Sequence, residues 1–327
     1  MAEDPPESGE PLPWHVPAWE RVFLSREAGR QHHAMLLEGL PGTGRARFAE
    51  ALAVRLLCTT DPSDAGRSTT RARELAVAGS HPDLRSVAPE EVGKAIGIDA
   101  IRSATAFVNA TSSLGERKVL LINPAERLTL AAWNAFLKCL EEPSPGTVII
   151  MVAARGHPLP ATIRSRCQRI HLPSPTPAQA SSWLAGVLGE EGMASRGMER
   201  VLRLFAVQPL KAFTFKDSDE LGALADFFEC FDRALRMGAA DARTRLQAEA
   251  AAARLDPDSL IEAVESTLVD WLRERAADEL RARAGRRGFE ALETVAGLRR
   301  ARRRGQNPNA DLLRSSVVAA VLSPVSS

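Results

Sequence analysis

The sequence predicts an α/β chain: a P-loop parallel sheet covered by helices, followed by a small helical module and an all-α region. Three observations predict it. The glycine-rich segment Gly39-Leu40-Pro41-Gly42-Thr43-Gly44-Arg45-Ala46 stands between a short apolar run and a helix-patterned stretch. In that order, helix-start amides can face a phosphate. Apolar runs of strand length at 119–122 and 148–152 flank a helical stretch that stops at Pro143, the alternation of a parallel sheet buried on both faces. Beyond Pro173, Pro175 and Pro177 the chain becomes rich in alanine, leucine, arginine and glutamate at helical spacing, and three fixed backbones mark a linker there.

The elements follow in order. Residues 1–13, rich in proline and glutamate, lack the basic and apolar regions of a secretory signal and are expected to be a disordered lead. A helix is expected after Trp14 and Trp19, ending near Gly29, then a strand over 33–37 and a helix over 45–57. The polar stretch 59–73, with Asp61-Pro62-Ser63-Asp64 and Gly66, reads as a loop. A strand at 84–88 precedes Ile98, Ile101, Thr105 and Val108, which share one helical face, with Asp99 near that helix's start. The strand 119–122, a helix over 128–142, the strand 148–152 and a short strand at 169–171 complete the sheet. The expected domains are a core over 14–173, a helical lid over 174–213 and a third helical domain over 214–327.

With 327 residues, 45% hydrophobic and 25% charged, the chain is long enough for two or three domains. A net charge of +1 argues against wholesale polyanion binding and leaves room only for a local basic patch. Cys58, Cys139, Cys167 and Cys230 are scattered with no C-x-x-C pair, so neither a zinc site nor a disulfide framework is indicated. A reducing cytoplasm is the expected setting, and no apolar run approaches the roughly 20 residues needed to span a bilayer.

Taken together, the motifs resemble the AAA+ clamp-loader family of bacterial DNA polymerase III. The resemblance rests on Gly29-Arg30-Gln31-His32-His33-Ala34, the glycine loop, His81-Pro82-Asp83, Lys118-Val119-Leu120-Leu121-Ile122, the run from Trp133 to Pro143, and Ile163-Arg164-Ser165-Arg166-Cys167. Asn307-Pro308-Asn309 with Leu312-Leu313 extends it to the final helix. It implies an AAA+ nucleotide-binding domain, a helical lid and a helical collar that holds subunits together. The implied partners are gamma/tau-type ATPase subunits, a delta subunit, the beta sliding clamp and primer-template DNA, in a hetero-pentamer.

The working side chains of the loop are changed. A P-loop uses a lysine on the terminal phosphates and a hydroxyl on magnesium, whereas this chain has Arg45 and Ala46 at those positions. A planar guanidinium is not a lysine point charge. Gly39, Gly42, Thr43 and Gly44 therefore read as a degenerate loop kept for its shape. Active relatives place Asp then Glu after the strand ending at Ile122; here Asn123 and Pro124 follow. Glu126 lies at the wrong offset and is expected to decorate the next helix at the surface. Ala153-Ala154 replaces a phosphate-sensing residue, and Val207-Gln208-Pro209-Leu210 departs from the usual lid sequence. Nucleotide hydrolysis by this chain is not expected.

Ser165-Arg166-Cys167 matches the family at all three positions. The resemblance implies that Arg166 is an arginine finger acting in trans on a neighbour's nucleotide, supported by Ser165 and Arg164, with Cys167 a packed residue. The competing reading pairs Arg166 with an internal carboxylate. Relatives also carry a four-cysteine zinc cluster after the first helix; this chain keeps only Cys58 there, with Arg67, Thr70 and Arg73 nearby, so no zinc is expected. Ser80-His81-Pro82 reads as a turn. Arg299-Arg300-Ala301-Arg302-Arg303-Arg304 reads as a solvated helix end closed by Gly305, with contact to DNA phosphates or acidic partner surfaces as the alternative. Leu272, Leu280, Leu292 and Leu298 are read as collar packing. An independent ATPase with an atypical loop and a DNA-binding adaptor are the alternatives to a non-catalytic assembly subunit.

Overall fold

The computed structural model describes residues 10–27, 32–58, 67–91, 94–114, 117–216, 219–237, 241–281, 283–303 and 309–322. Within them the chain divides into two compact units, one reaching to Ala180 and one from Ser181 onward. Residues 1–9, 29–31, 59–66, 304–305 and 307–308, on which several sequence expectations fall, lie outside the described residues.

The first unit is built on five parallel strands: β1 (Ala34–Gly39), β2 (Leu84–Val87), β3 (Lys118–Ile122), β4 (Thr147–Ala154) and β5 (Gln168–His171). Their order across the sheet is β2-β3-β4-β1-β5, and every pairing is parallel. All five strands expected from the sequence form, with ends shifted by one or two residues. The helices of this unit are α1 (Val16–Glu27), α2 (Arg45–Cys58), α3 (Arg67–Val77), α4 (Ile98–Asn109), α5 (Leu130–Glu141) and the single turn α6 (Ala161–Arg164).

The sheet is buried on both faces because side chains alternate along each strand. Met35, Leu37, Val119, Leu121, Ile150 and Val152 pack on one side against Ala18, Val22, Phe48 and Leu52 of α1 and α2. Leu36, Leu120, Ile122, Ile149 and Met151 pack on the other against Ile101, Val108, Trp133, Phe136 and Ile163 of α4 to α6. These layers leave the strand ends as the edges from which loops project.

Two boundaries differ from the sequence reading. The polar stretch read as a loop to Arg73 is helical from Arg67. Among the described side chains of α3, from Arg71 onward, only Ala76 enters the core, so the helix carries almost no apolar signal. The helix expected from Leu128 begins at Leu130, because the Oγ1 of Thr129 accepts from the Ala132 amide at 3.2 Å and caps it there. A 3₁₀ turn, Ala125–Arg127, fills the gap.

The second unit is all helical: α7 (Pro177–Ala194, kinked at Gly189), α8 (Met198–Leu204), α9 (Pro209–Thr214), α10 (Asp219–Met237), α11 (Ala242–Ala253), α12 (Pro257–Arg273), α13 (Ala277–Arg281), α14 (Arg283–Arg303) and α15 (Ala310–Leu322). Leu184, Met198 and Phe205 share one core with Phe228, Phe231, Val264, Val295 and Val317. The segments expected to be lid and collar thus bury apolar surface in common. Of the leucines read as collar packing, Leu272 is buried and Leu292 and Leu298 pack partly against this core. Leu280 is only half-buried, since α13 contributes no buried residue. None of the described helices is long and apolar enough to cross a membrane.

Candidate functional site

The glycine loop leaves the carboxyl end of β1 and turns directly into α2. Gly42 (φ 71°) and Gly44 (φ 91°) occupy the left-handed region, where a Cβ would be strained, so both glycines are required by the turn. Thr43 is fully buried. Its hydroxyl donates to the Leu40 carbonyl at 2.7 Å, and its own carbonyl accepts from Trp14 Nε1 at 2.9 Å. The loop keeps its form through contacts within the chain.

Arg45 turns back along the loop. Its Cγ and Cδ lie so close to Gly39 that a Cβ there would meet them at 3.0 and 3.2 Å. Its Nη1 lies 3.9 Å from Glu126 Oε1, and the two side chains are 15% and 11% exposed. Burial pulls the Arg45 pKa down, against the opposing charge of Glu126. Glu126 Oε1 also accepts from the Ala154 amide at 3.1 Å, at the end of β4.

Glu126 is therefore not the surface decoration expected from its offset. The reason is the 3₁₀ turn: it separates Glu126 from α5 and tucks it between the loop and the end of β4. Buried Arg45 Nη1 and Glu126 Oε2 have no hydrogen-bond partner among the described residues, and at 3.9 Å the pair acts through charge. The Arg45 guanidinium is thus committed to a partner within the chain. Ala46 offers no ligand atom, and Asn123 follows β3 with its backbone N–H donating to the Val87 carbonyl at 3.0 Å. These residues do not fit a magnesium nucleotide.

Arg166 lies elsewhere. It follows α6 and precedes β5, whose Gln168 pairs with Met35 near the start of β1. The loop leaves β1 at Gly39. Four strand steps separate those levels, or about 13 Å at ~3.3 Å per residue. Because the strands are parallel, the loop and Arg166 project from opposite edges of one sheet.

The structure places Arg166 beside Glu141, the last residue of α5. Its Nε and Nη2 approach Glu141 Oε1 at 2.7 and 2.6 Å, and its Nη1 donates to the Thr162 carbonyl at 2.9 Å. Ser165 Oγ donates to that same carbonyl at 3.1 Å and sits 3.5 Å from Arg166 Nη1. The pairing with an internal carboxylate, one of the two sequence readings, is the geometry of the single chain. The Cys167 thiol is pushed up to about 12 by burial and packs against the α4–α5 side of the core, which suits an inert packed residue.

Other sequence features resolve into structural roles. His81 is buried and its Nδ1 accepts from the Asp83 amide at 3.0 Å, while the Asp83 carboxylate takes the amides of Ser113 and Leu114 at 2.7 and 2.8 Å. His81-Pro82-Asp83 is a turn that starts β2. Gln208 Nε2 donates to Glu262 Oε1 at 2.9 Å, and Lys211 pairs with the same carboxylate, so the altered lid segment ties α9 to α12. Arg299 and Arg302 pair with Glu265 and Asp258 of α12.

A parallel β2-β3-β4-β1-β5 sheet, a glycine loop after β1 and an Arg-containing turn before β5 define the class: an AAA+ P-loop fold. A family model described as "DNA polymerase III, delta subunit" matches residues 17–176. The chain is 39% identical over 196 residues to DNA polymerase III subunit delta' of Pseudomonas aeruginosa, covering 59% of each. To the protein of that name from Escherichia coli it is 38% identical over 208 residues, covering 63% of this chain and 61% of the other. The chain thus matches about three-fifths of the length of these curated relatives. A DNA polymerase III gamma subunit-related protein from Thermotoga maritima superposes with a TM-score of 0.52 at 18% identity, covering 91% of this chain and 96% of that one, a likeness of fold alone. The resemblance to the clamp-loader family is thereby shown, and within it the chain is similar to the delta-prime subunits.

Proposed function

We propose that the chain is a non-catalytic, delta-prime-type subunit of a bacterial DNA polymerase III clamp loader. It serves as a rigid scaffold in a hetero-pentamer with gamma/tau-type and delta subunits and helps place the beta sliding clamp on primer-template DNA. Arg166 acts as an arginine finger on the nucleotide of an adjacent ATPase subunit. One observation carries the reading: Arg45 of the glycine loop is paired with Glu126 of the same chain, while Arg166 stands at the opposite edge of the sheet. An arginine so placed is remote from its own loop and available to another chain's. The shared core of α7–α15 suits a permanent collar, since the segment continues as one packed body.

The test is ATP hydrolysis by the reconstituted complex, stimulated by clamp and primed DNA, for wild type and Arg166→Ala. With assembly verified for both, hydrolysis at the site Arg166 serves is expected to fall by about tenfold or more, so that the complex loses most of that site's share of the total rate while the other sites remain intact. An unchanged rate in an assembled complex would remove Arg166 as a functional residue.

A further inference from the structure

We infer that Glu141 is the positioning residue of Arg166, holding the guanidinium in the orientation in which it meets a neighbour's phosphate. The inference rests on the proposed role of Arg166 and adds a residue to it. Glu141 occupies the carboxyl terminus of α5, where exposed backbone carbonyls make an acidic side chain locally unfavourable. The carboxylate is instead satisfied by Arg166, with both Nε and Nη2 on Oε1. Thr162 holds Nη1 from the other side at 2.9 Å. Three of the five N–H donors are thus engaged in short contacts, and one donor on each Nη is left for a phosphate oxygen.

A long side chain held at both ends of its guanidinium loses little rotamer freedom on meeting its target. The pair is also partly exposed, with side chains at 36% and 48%. Exposed ion pairs contribute little to stability, so removing Glu141 should leave the fold intact and expose its effect on the guanidinium. The α5 end that carries it is fixed independently: the Leu140 carbonyl lies 2.7 Å from His33 Nε2.

The test uses the full reconstituted complex with clamp and primed DNA, comparing Glu141→Gln, Glu141→Asp, Arg166→Ala and the Glu141→Gln/Arg166→Ala double variant. Glu141→Gln is expected to lower hydrolysis at the site Arg166 serves by about tenfold, so that kcat of the complex shows most of the loss seen in Arg166→Ala with KM for ATP unchanged. Glu141→Asp should restore part of that rate, and the double variant should match Arg166→Ala alone. Glu142→Gln, one residue on, is the control and should leave the rate unchanged. A full or raised rate in Glu141→Gln, with Arg166→Ala impaired, overturns the positioning role alone. Additive losses in the double variant overturn it as well. An unimpaired Arg166→Ala complex overturns the finger itself and this inference with it.

Discussion

Arg45 Nη1 stands 3.9 Å from Glu126 Oε1 across the mouth of the glycine loop, so the cation of the loop is neutralised by a residue 81 positions further along the chain. The pair joins the first turn of α2 to the turn that follows β3.

Glu126→Ala is expected to lower stability by about 1–3 kcal/mol in denaturant unfolding, because it leaves a buried guanidinium uncompensated and removes the acceptor of the Ala154 amide. Glu126→Gln keeps an acceptor and should cost less. Equal and negligible losses would show that the charge pair is incidental.

The loop also sets the expectation for nucleotide. Isothermal titration of the isolated chain with ATP should give no saturable binding at micromolar concentrations, with or without magnesium, since Ala46 has no ligand atom and Asn123 no carboxylate. A magnesium-dependent micromolar Kd would favour the atypical ATPase alternative.

His15 supplies a pH dependence. It is fully buried, with Phe48 edge-on at 5.5 Å and Trp14 at 5.9 Å, and burial lowers its pKa from 6.5 to about 4. The unfolded chain takes up the proton first, so stability is full above about pH 6.5 and declines as pH falls towards 4. The loss is on the order of 3 kcal/mol. Melting temperatures measured from pH 7.5 to 4 should show this slope, and it should flatten in His15→Leu.

In the helical unit, Phe228 is fully buried against Phe227 and Phe231, with the Arg200 guanidinium 4.3 Å above its ring. Phe228→Ala should cost about 3–5 kcal/mol and Phe228→Leu distinctly less. Chemical unfolding of the two variants distinguishes a packed core position from a tolerant one.

The arginine block gives an expectation about DNA. Arg299 and Arg302 are paired with α12 carboxylates, so Arg299→Ala/Arg302→Ala should lower the melting temperature by a few degrees, at roughly 2–4 °C per kcal/mol. Fluorescence anisotropy should detect no tight DNA binding by the isolated wild-type chain at physiological salt. Tight binding with a steep salt dependence would restore the adaptor alternative.

Much of the sheet was legible because its strands are buried on both faces and read as unbroken apolar runs. The loop was legible because its glycines are demanded by backbone geometry. What escaped were relations across distance. Glu126 was misplaced because spacing to the next helix cannot reveal a 3₁₀ turn that folds the residue inward. Arg166 and Glu141 are 25 positions apart, and nothing in either motif points to the other. α3 escaped because a helix whose described side chains reach the core through a single alanine looks, in composition, like solvated chain. His15 carried a faint signal, bracketed by Trp14 and two nearby prolines, but burial of a ring depends on what closes over it.

The placement of loop and Arg166 at opposite edges of the sheet gives the subunit a direction, a socket on one side and a plug on the other. The two ends of the strands therefore differ in chemistry within one unit: at one a guanidinium and a carboxylate face each other over the glycine loop, and at the other a second guanidinium is held at the end of α5.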